Sequence, residues 1–274
     1  MKLTNTQVII SGSTVEAYRY KERPLSYDFK ASKEGKTRSR IIVVDDETAA
    51  RKTESRRKSM LRARSHLRRL VNSNAWFCYK PDGQAYLPIF CTFTFREDIR
   101  DPKVANRIFS KFIKRLNYKV HDGDKKGLLK YVVVTEFQDF SRDGVIHYHV
   151  VFFNLPFIWK DDLSAVWDQG FVDIKKIARV SNVGAYISKY MAKHFEDDRL
   201  DGKKRYFSSR GLLKPRVIRD QQKANIIIEA IPFVLIVRDR EYTSERQGTT
   251  NYTQYRLRKR QSLLEAIPAL RGLI

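Results

Sequence analysis

Two histidines stand out first. His147 and His149 interrupt Val145-Ile146-His147-Tyr148-His149-Val150-Val151-Phe152-Phe153, a stretch otherwise β-branched or aromatic, and such a stretch predicts a buried strand. Residues two apart on a strand point to one face, so the two imidazoles form a side-by-side pair. Neutral imidazole is the commonest biological metal ligand. A lone His-x-His fits a pair of core histidines with backbone partners equally well; the flanking elements decide between the two.

One such element is the strand expected over Leu128–Phe137, which carries Glu136 near its end. A polar connection, Gln138 to Gly144, is sufficient for a hairpin. In a simple register Glu136 returns beside His147 and His149, since neighbouring strands lie about 5 Å apart. Gln138, two residues on along the same face, is the alternative third oxygen ligand. Oxygen with imidazole suits Mg²⁺ or Mn²⁺.

Upstream, Ile89 to Phe95 alternates, with Ile89, Cys91, Phe93 and Phe95 on one side and Phe90, Thr92 and Thr94 on the other. This predicts a central strand with one dry and one partly polar face. Asp101-Pro102 opens a helix, in which Val104, Ile108, Phe109, Phe112, Ile113 and Leu116 recur at helical spacing. A short helix over Lys160–Trp167 and a strand over Gly170–Ile174 follow. Val183 to His194 reads as a helix with Tyr186 and Tyr190 one above the other, and Lys189 and Lys193 on that side. Tyrosines at this spacing also serve as ordinary packing.

The chain as a whole is strongly basic: 54 Lys and Arg against 31 Asp and Glu, net +23, pI near 10. Such a surplus predicts a polyanionic partner, nucleic acid ahead of an acidic membrane surface. Residues 46–72 read as one uninterrupted helix carrying Arg56, Arg57, Arg62 and Arg68, suited to tracking phosphates. Arg205 to Pro215 mixes Arg205, Arg210, aromatics and hydroxyls, a composition that suits a single nucleic-acid strand. Ile226–Ile228 and Phe233–Val237 read as strands broken at Pro232. Val8–Ile10 and Ile41–Val44 read as short strands around a basic stretch, Lys30 to Arg40. No run of 18 apolar residues, signal peptide or P-loop is read, and two cysteines imply no disulfide framework. The expected location is the cytoplasm, with no membrane partner.

Taken together, Ile89–Phe95, Ile146–Phe152 and Ala185–Lys193 resemble, in order, the three motifs of the HUH endonuclease superfamily, the rolling-circle replication initiators of plasmids and single-stranded DNA viruses. The third stretch looks like the two-tyrosine form typical of initiators of small icosahedral phages. The likeness spans roughly residues 85–215. It implies an α+β domain with a mainly antiparallel five-stranded sheet and packed helices, of the ferredoxin-like kind. It also implies a metal-dependent, site-specific nickase and strand transferase acting on single-stranded DNA at an origin hairpin. Tyr186 and Tyr190 would be the nucleophiles, Lys189 and Lys193 their helpers, and His147, His149 and Glu136 the ligands of Mg²⁺ or Mn²⁺. Unwinding and synthesis would fall to a host helicase and polymerase. The expected organisation is a basic region over 1–74, the endonuclease domain over 75–215 and a basic extension over 216–274. A transposase or relaxase of the same superfamily and a non-catalytic nucleic-acid binder are the alternatives; relaxases usually place the tyrosine before the histidines, which does not fit here.

Overall fold

The computed structural model describes residues 2–27, 46–121, 128–139, 143–177, 180, 182–192, 197, 199, 204–244, 247–258 and 261–273. The expected strand at Ile41–Val44 and the basic stretch from Lys30 to Arg40 lie outside the described residues. The chain divides into two compact units, Ala63–Lys214 and a second made of Met1–Arg62 with Pro215–Ile274.

The first unit follows the order β5 (Ile89–Thr94), α2 (Pro102–Val120), β6 (Tyr131–Gln138), β7 (Val145–Phe152), α3 (Lys160–Trp167), β8 (Val172–Lys176), α4 (Val183–Ala192) and β9 (Tyr206–Ser208). Its sheet is antiparallel throughout in the order β8-β5-β7-β6-β9. From β5 to β8 the path is the split β-α-β-β-α-β of ferredoxin-like domains. The α+β architecture with a five-stranded antiparallel sheet is therefore as expected.

Alternation on β5 and β7 sorts the side chains of this sheet. Cys91, Phe93, Ile146, Tyr148, Val150, Phe152 and Val133 enter one buried cluster with Phe109, Phe112 and Leu116 of α2 and Leu163 and Trp167 of α3. Each fully buried aromatic of this kind contributes about 1.5–3 kcal/mol. Asp101 caps α2 by accepting from the Lys103 N–H at 2.8 Å, and Pro102 takes its first position. The strand between the histidines is thus half structural. Tyr148 is fully buried, its hydroxyl donates to Asn106 Oδ1 at 2.6 Å, and burial pushes its phenol pKa up.

The second unit builds a separate sheet from β2 (Thr6–Ser11), β3 (Thr14–Tyr20), β10 (Arg216–Ile218), β11 (Ile236–Ser244) and β12 (Gly248–Arg256). The order is β10-β2-β3-β12-β11, so both ends of the chain contribute strands to one antiparallel sheet. A two-stranded ladder, β1 (Lys2–Thr4) with β4 (Leu25–Tyr27), stands apart from it. On the outer strand β11, Arg238 and Arg240 oppose Gln254 and Tyr252, while Asp239 and Glu241 oppose Thr253 and Asn251.

One expectation is corrected here. Ile226–Ile228 is not a strand but the middle of helix α5 (Gln221–Ala230), followed by a short 3-10 turn at Phe233–Leu235 before β11. Asp220 caps the helix, accepting from the Lys223 N–H at 2.9 Å. Ala224, Ile227, Ile228 and Ile231 recur at helical spacing and are all buried with Val8, Val15 and Tyr255. Packing of that stripe overrides the strand preference of three isoleucines.

Helix α1 runs Asp46–Asn74, two residues beyond the expected end. Leu67, Leu70 and Val71 are buried and Leu61 is exposed, so the apolar stripe is confined to the last turns. Asn74 ends it by donating to the Leu70 and Leu213 carbonyls and accepting from the Leu213 N–H at 2.9 Å.

Candidate active site

The polar face of the first unit's sheet is laid out by register. Thr94 pairs with His147, and His147 in turn with Glu136; Thr92 pairs with His149. Directly opposed residues share a face, so two threonines, two imidazoles and one carboxylate occupy a single patch across β5, β7 and β6. Gln138 lies opposite Val145, further along the same face.

His149 is the best-defined member. Its Nδ1 is 3.1 Å from the Thr92 hydroxyl and its Nε2 is hydrogen-bonded to Glu136 Oε2. An ionised carboxylate only accepts, so Nε2–H is the donor to Glu136 and Nδ1 accepts from Thr92. The Phe90 ring lies parallel to the imidazole, centroids 5.6 Å apart at 8°. Both ring nitrogens and one ring face are therefore held. His147 is buried. Among the described residues no group of three or more His, Cys, Asp or Glu side chains is arranged to hold a metal ion; Glu136 is engaged with His149 instead.

Helix α4 carries the tyrosine pair. Val183, Gly184, Ile187 and Ser188 are buried, Ala185 is exposed and Tyr186 is half-buried. Tyr190 falls one turn beyond Tyr186 by backbone position. The side chains of Tyr190 and Lys189, and all of Lys193, lie outside the described residues. Gly184 fixes the helix against α1: its N–H donates to Asn72 Oδ1 at 2.8 Å, and a Cβ there would collide with the Arg68 carbonyl and the Asn72 side chain. Only glycine permits that approach.

The expected DNA-contacting arginines are placed unequally. Arg57 and Arg62 are exposed, and Arg56 and Arg68 half-exposed, on α1. Arg210 is exposed, while Arg205 is buried at 9%. Close by, Phe207 packs on Phe109 and Tyr148, centroids 5.7 and 5.8 Å away. Tyr206 pairs across from Val134, and its hydroxyl is hydrogen-bonded to Nδ1 of His66 on α1. Thr92, Phe90, His66 and Tyr206 all escape the motif reading. Only Thr92 carried a signal, as a polar residue on the face of β5 opposite its apolar stripe.

Residues 88–195 match a family model of replication-associated proteins, the ORF2 family. The matched stretch begins just before β5 and ends just after α4, and it contains Thr92, Glu136, both histidines and both tyrosines. The likeness supports a role in replication initiation and contact with DNA at origins. No curated protein and no solved structure matches the chain. Among the described residues no helix is long and apolar enough to cross a membrane.

Proposed function

We propose that the chain is a metal-dependent, site-specific endonuclease and strand transferase that nicks single-stranded DNA at a replication origin and starts rolling-circle replication. One observation carries this reading: within the stretch that resembles a replication-associated family, His147, His149 and Glu136 occupy adjacent positions of one sheet face. Two imidazoles and a carboxylate form a donor set that fits Mg²⁺ or Mn²⁺. With Nδ1 of His149 held by Thr92, Nε2 is the nitrogen left to bind. Glu136 would turn from His149 to serve as the third ligand. When bound, the cation polarises a non-bridging phosphate oxygen and orients the phosphate.

The phenol oxygen of Tyr186 or Tyr190 attacks phosphorus. The P–O3′ bond breaks, a 5′-phosphotyrosine forms, and the departing 3′ oxygen leaves with a proton as a free hydroxyl that primes synthesis. Phenol, with a reference pKa near 10, needs help at neutral pH; Lys189 and Lys193 supply positive charge beside it. The phosphotyrosine conserves the bond energy, so a later 3′-hydroxyl reverses the exchange and closes a circle. Two tyrosines one turn apart allow a second nick while the first strand end stays attached. The exposed arginines of α1 hold the strand by its phosphates. A separate helicase and a polymerase of the host complete the work in its cytoplasm.

A second reading, a nucleic-acid binder without chemistry, draws on the contact between Glu136 and His149, which engages a ligand in a purely structural pair. The two separate in one experiment. The full chain is incubated with origin-like single-stranded oligonucleotides and Mn²⁺, and any tyrosine bearing a nucleotide is mapped by mass spectrometry. An adduct on Tyr186 or Tyr190 that EDTA suppresses is expected; EDTA-resistant binding without an adduct establishes the binder instead.

A further inference from the structure

We propose that Phe171, Trp159 and Phe157, together with Lys160, form a base-stacking platform for unpaired DNA on the β8 side of the histidine face. The proposal rests on the nuclease reading of that face and adds the place where flanking bases sit.

Three large rings are exposed close together in sequence or space: Phe171 at 59%, Trp159 at 69% and Phe157 at 75%. Most rings of this unit are instead consumed in its core. Exposure here is built in. Ile158, between Phe157 and Trp159, packs on the core, so an extended backbone turns its two neighbours outward. The Phe157 and Trp159 rings brace each other edge to face, centroids 4.9 Å apart at 82°. The next residue, Lys160, sets its ammonium 4.7 Å from the centre of the Phe171 ring, a cation–π contact joining the two segments.

Phe171 is tied to the row of His147. The ladder between β5 and β8 pairs Phe93 with Val172, and the next pair, Thr94 with Phe171, continues it. The Thr94 N–H donates to the Phe171 carbonyl at 3.0 Å, and the Phe171 N–H donates to Thr94 Oγ1 at 2.9 Å. Gly170 makes that approach possible, because a Cβ there would sit 2.5 Å from the Thr94 carbonyl oxygen. Thr94 is itself opposite His147. Phe171 is therefore two strand spacings from His147, roughly 10 Å.

Exposed rings beside a cation, on a chain of net charge +23, match the chemistry of nucleobases, whose faces stack on aromatic side chains whatever the sequence. Acidic neighbours limit the charge contribution: Asp161 follows Lys160, and Asp162 pairs with Lys119 at 2.7 Å. Stacking rather than counterion release should thus supply the affinity. A partner protein is the competing occupant.

The test uses the full chain, a short oligo(dT) and a duplex of equal length, in EDTA. Trp159 is the exposed tryptophan; Trp76 and Trp167 are buried. Oligo(dT) should quench tryptophan emission, and Trp159→Phe should abolish the quench. Phe171→Ala and Trp159→Ala should each weaken oligo(dT) binding roughly tenfold, leaving duplex binding and the salt slope unmoved. Melting followed by circular dichroism confirms that these surface variants fold. Parental affinity in both variants overturns the platform, as does an effect on association with a protein but none on oligo(dT). A parent that binds and quenches yet never forms an adduct with Mn²⁺ sinks the nuclease reading and leaves the platform standing.

Discussion

The two five-stranded sheets share an architecture and differ in what their central strands bury. On β3, the middle of the second unit's sheet, Glu16 is 1% exposed and accepts from the Tyr252 hydroxyl at 2.9 Å and the Tyr18 hydroxyl at 3.4 Å. Its cross-strand neighbours, Ile9 and Gln254, do not titrate. On β7, the middle of the first unit's sheet, His147 faces Glu136 and Thr94, and His149 contacts Glu136 and Thr92. A buried ionisable group surrounded by hydroxyl donors is held in one state and stabilises a fold. Ionisable groups of opposite proton affinity, set on adjacent strands, can exchange protons or share a cation. The pairing across strands, rather than burial itself, distinguishes a candidate site from a structural polar core.

The sharpest way to break that comparison is to remove the nucleophiles served by one sheet alone. Replacing Tyr186 and Tyr190 together by Phe is expected to eliminate the covalent protein–DNA adduct on a denaturing gel, with oligonucleotide binding preserved; an undiminished adduct ends the assignment. Next in size, His147→Ala should lower cleavage by about a hundredfold, the upper end of what disturbing a metal site costs, without loss of fold. Glu16→Ala should leave the cleavage rate of the folded protein intact but cost about 1–3 kcal/mol of stability, because it strands buried hydroxyls. If the two variants trade phenotypes, the contrast between the sheets is wrong.

Thr92→Ala sharpens the contrast further, since it frees one side of the His149 ring. A loss of about 10- to 100-fold in Mn²⁺ affinity or in cleavage is expected, measured by metal titration and initial rates, with Thr92→Ser recovering most of it. The smallest effect concerns the dry face. Burial raises the Tyr148 phenol pKa in the folded state, so the stability this implies is complete below the unfolded value near 10 and falls as pH rises beyond it. Denaturant melts at about pH 9 and pH 11, either side of that value, should show a smaller alkaline loss in Tyr148→Phe than in the parent.

Much of the first unit could be read from local pattern. Alternation along Ile89–Phe95 sorted the faces of β5, the apolar stripe from Phe109 to Leu116 defined the face α2 buries, and the Gln138–Gly144 connection set Glu136 opposite His147. What escaped depends on contacts far apart in sequence. The union of both chain ends in one sheet leaves no trace in either end alone. The helix at Gln221–Ala230 was masked by three consecutive isoleucines, whose strand preference is overruled only once Val8 and Tyr255 supply a surface. Arg205 reads as a phosphate contact by type, yet it is buried, because the strand that follows it is pinned by Phe207. Phe157 and Trp159 flank a single inward residue in a stretch too short to show a period, so nothing in their spacing announced that they point outward.

The charge order on β11 has a consequence for crowded conditions. An outer strand nine residues long invites a second copy to dock against it. A two-fold axis normal to the sheet keeps each copy's faces aligned, so even-numbered positions meet even and odd meet odd. Arg238 and Arg240 then never oppose Asp239 or Glu241 of the other molecule, and centring on Arg240 sets arginine on arginine and Asp239 on Glu241. The strand is built to refuse its twin, which keeps a chain this rich in β-structure dispersed while it waits for DNA.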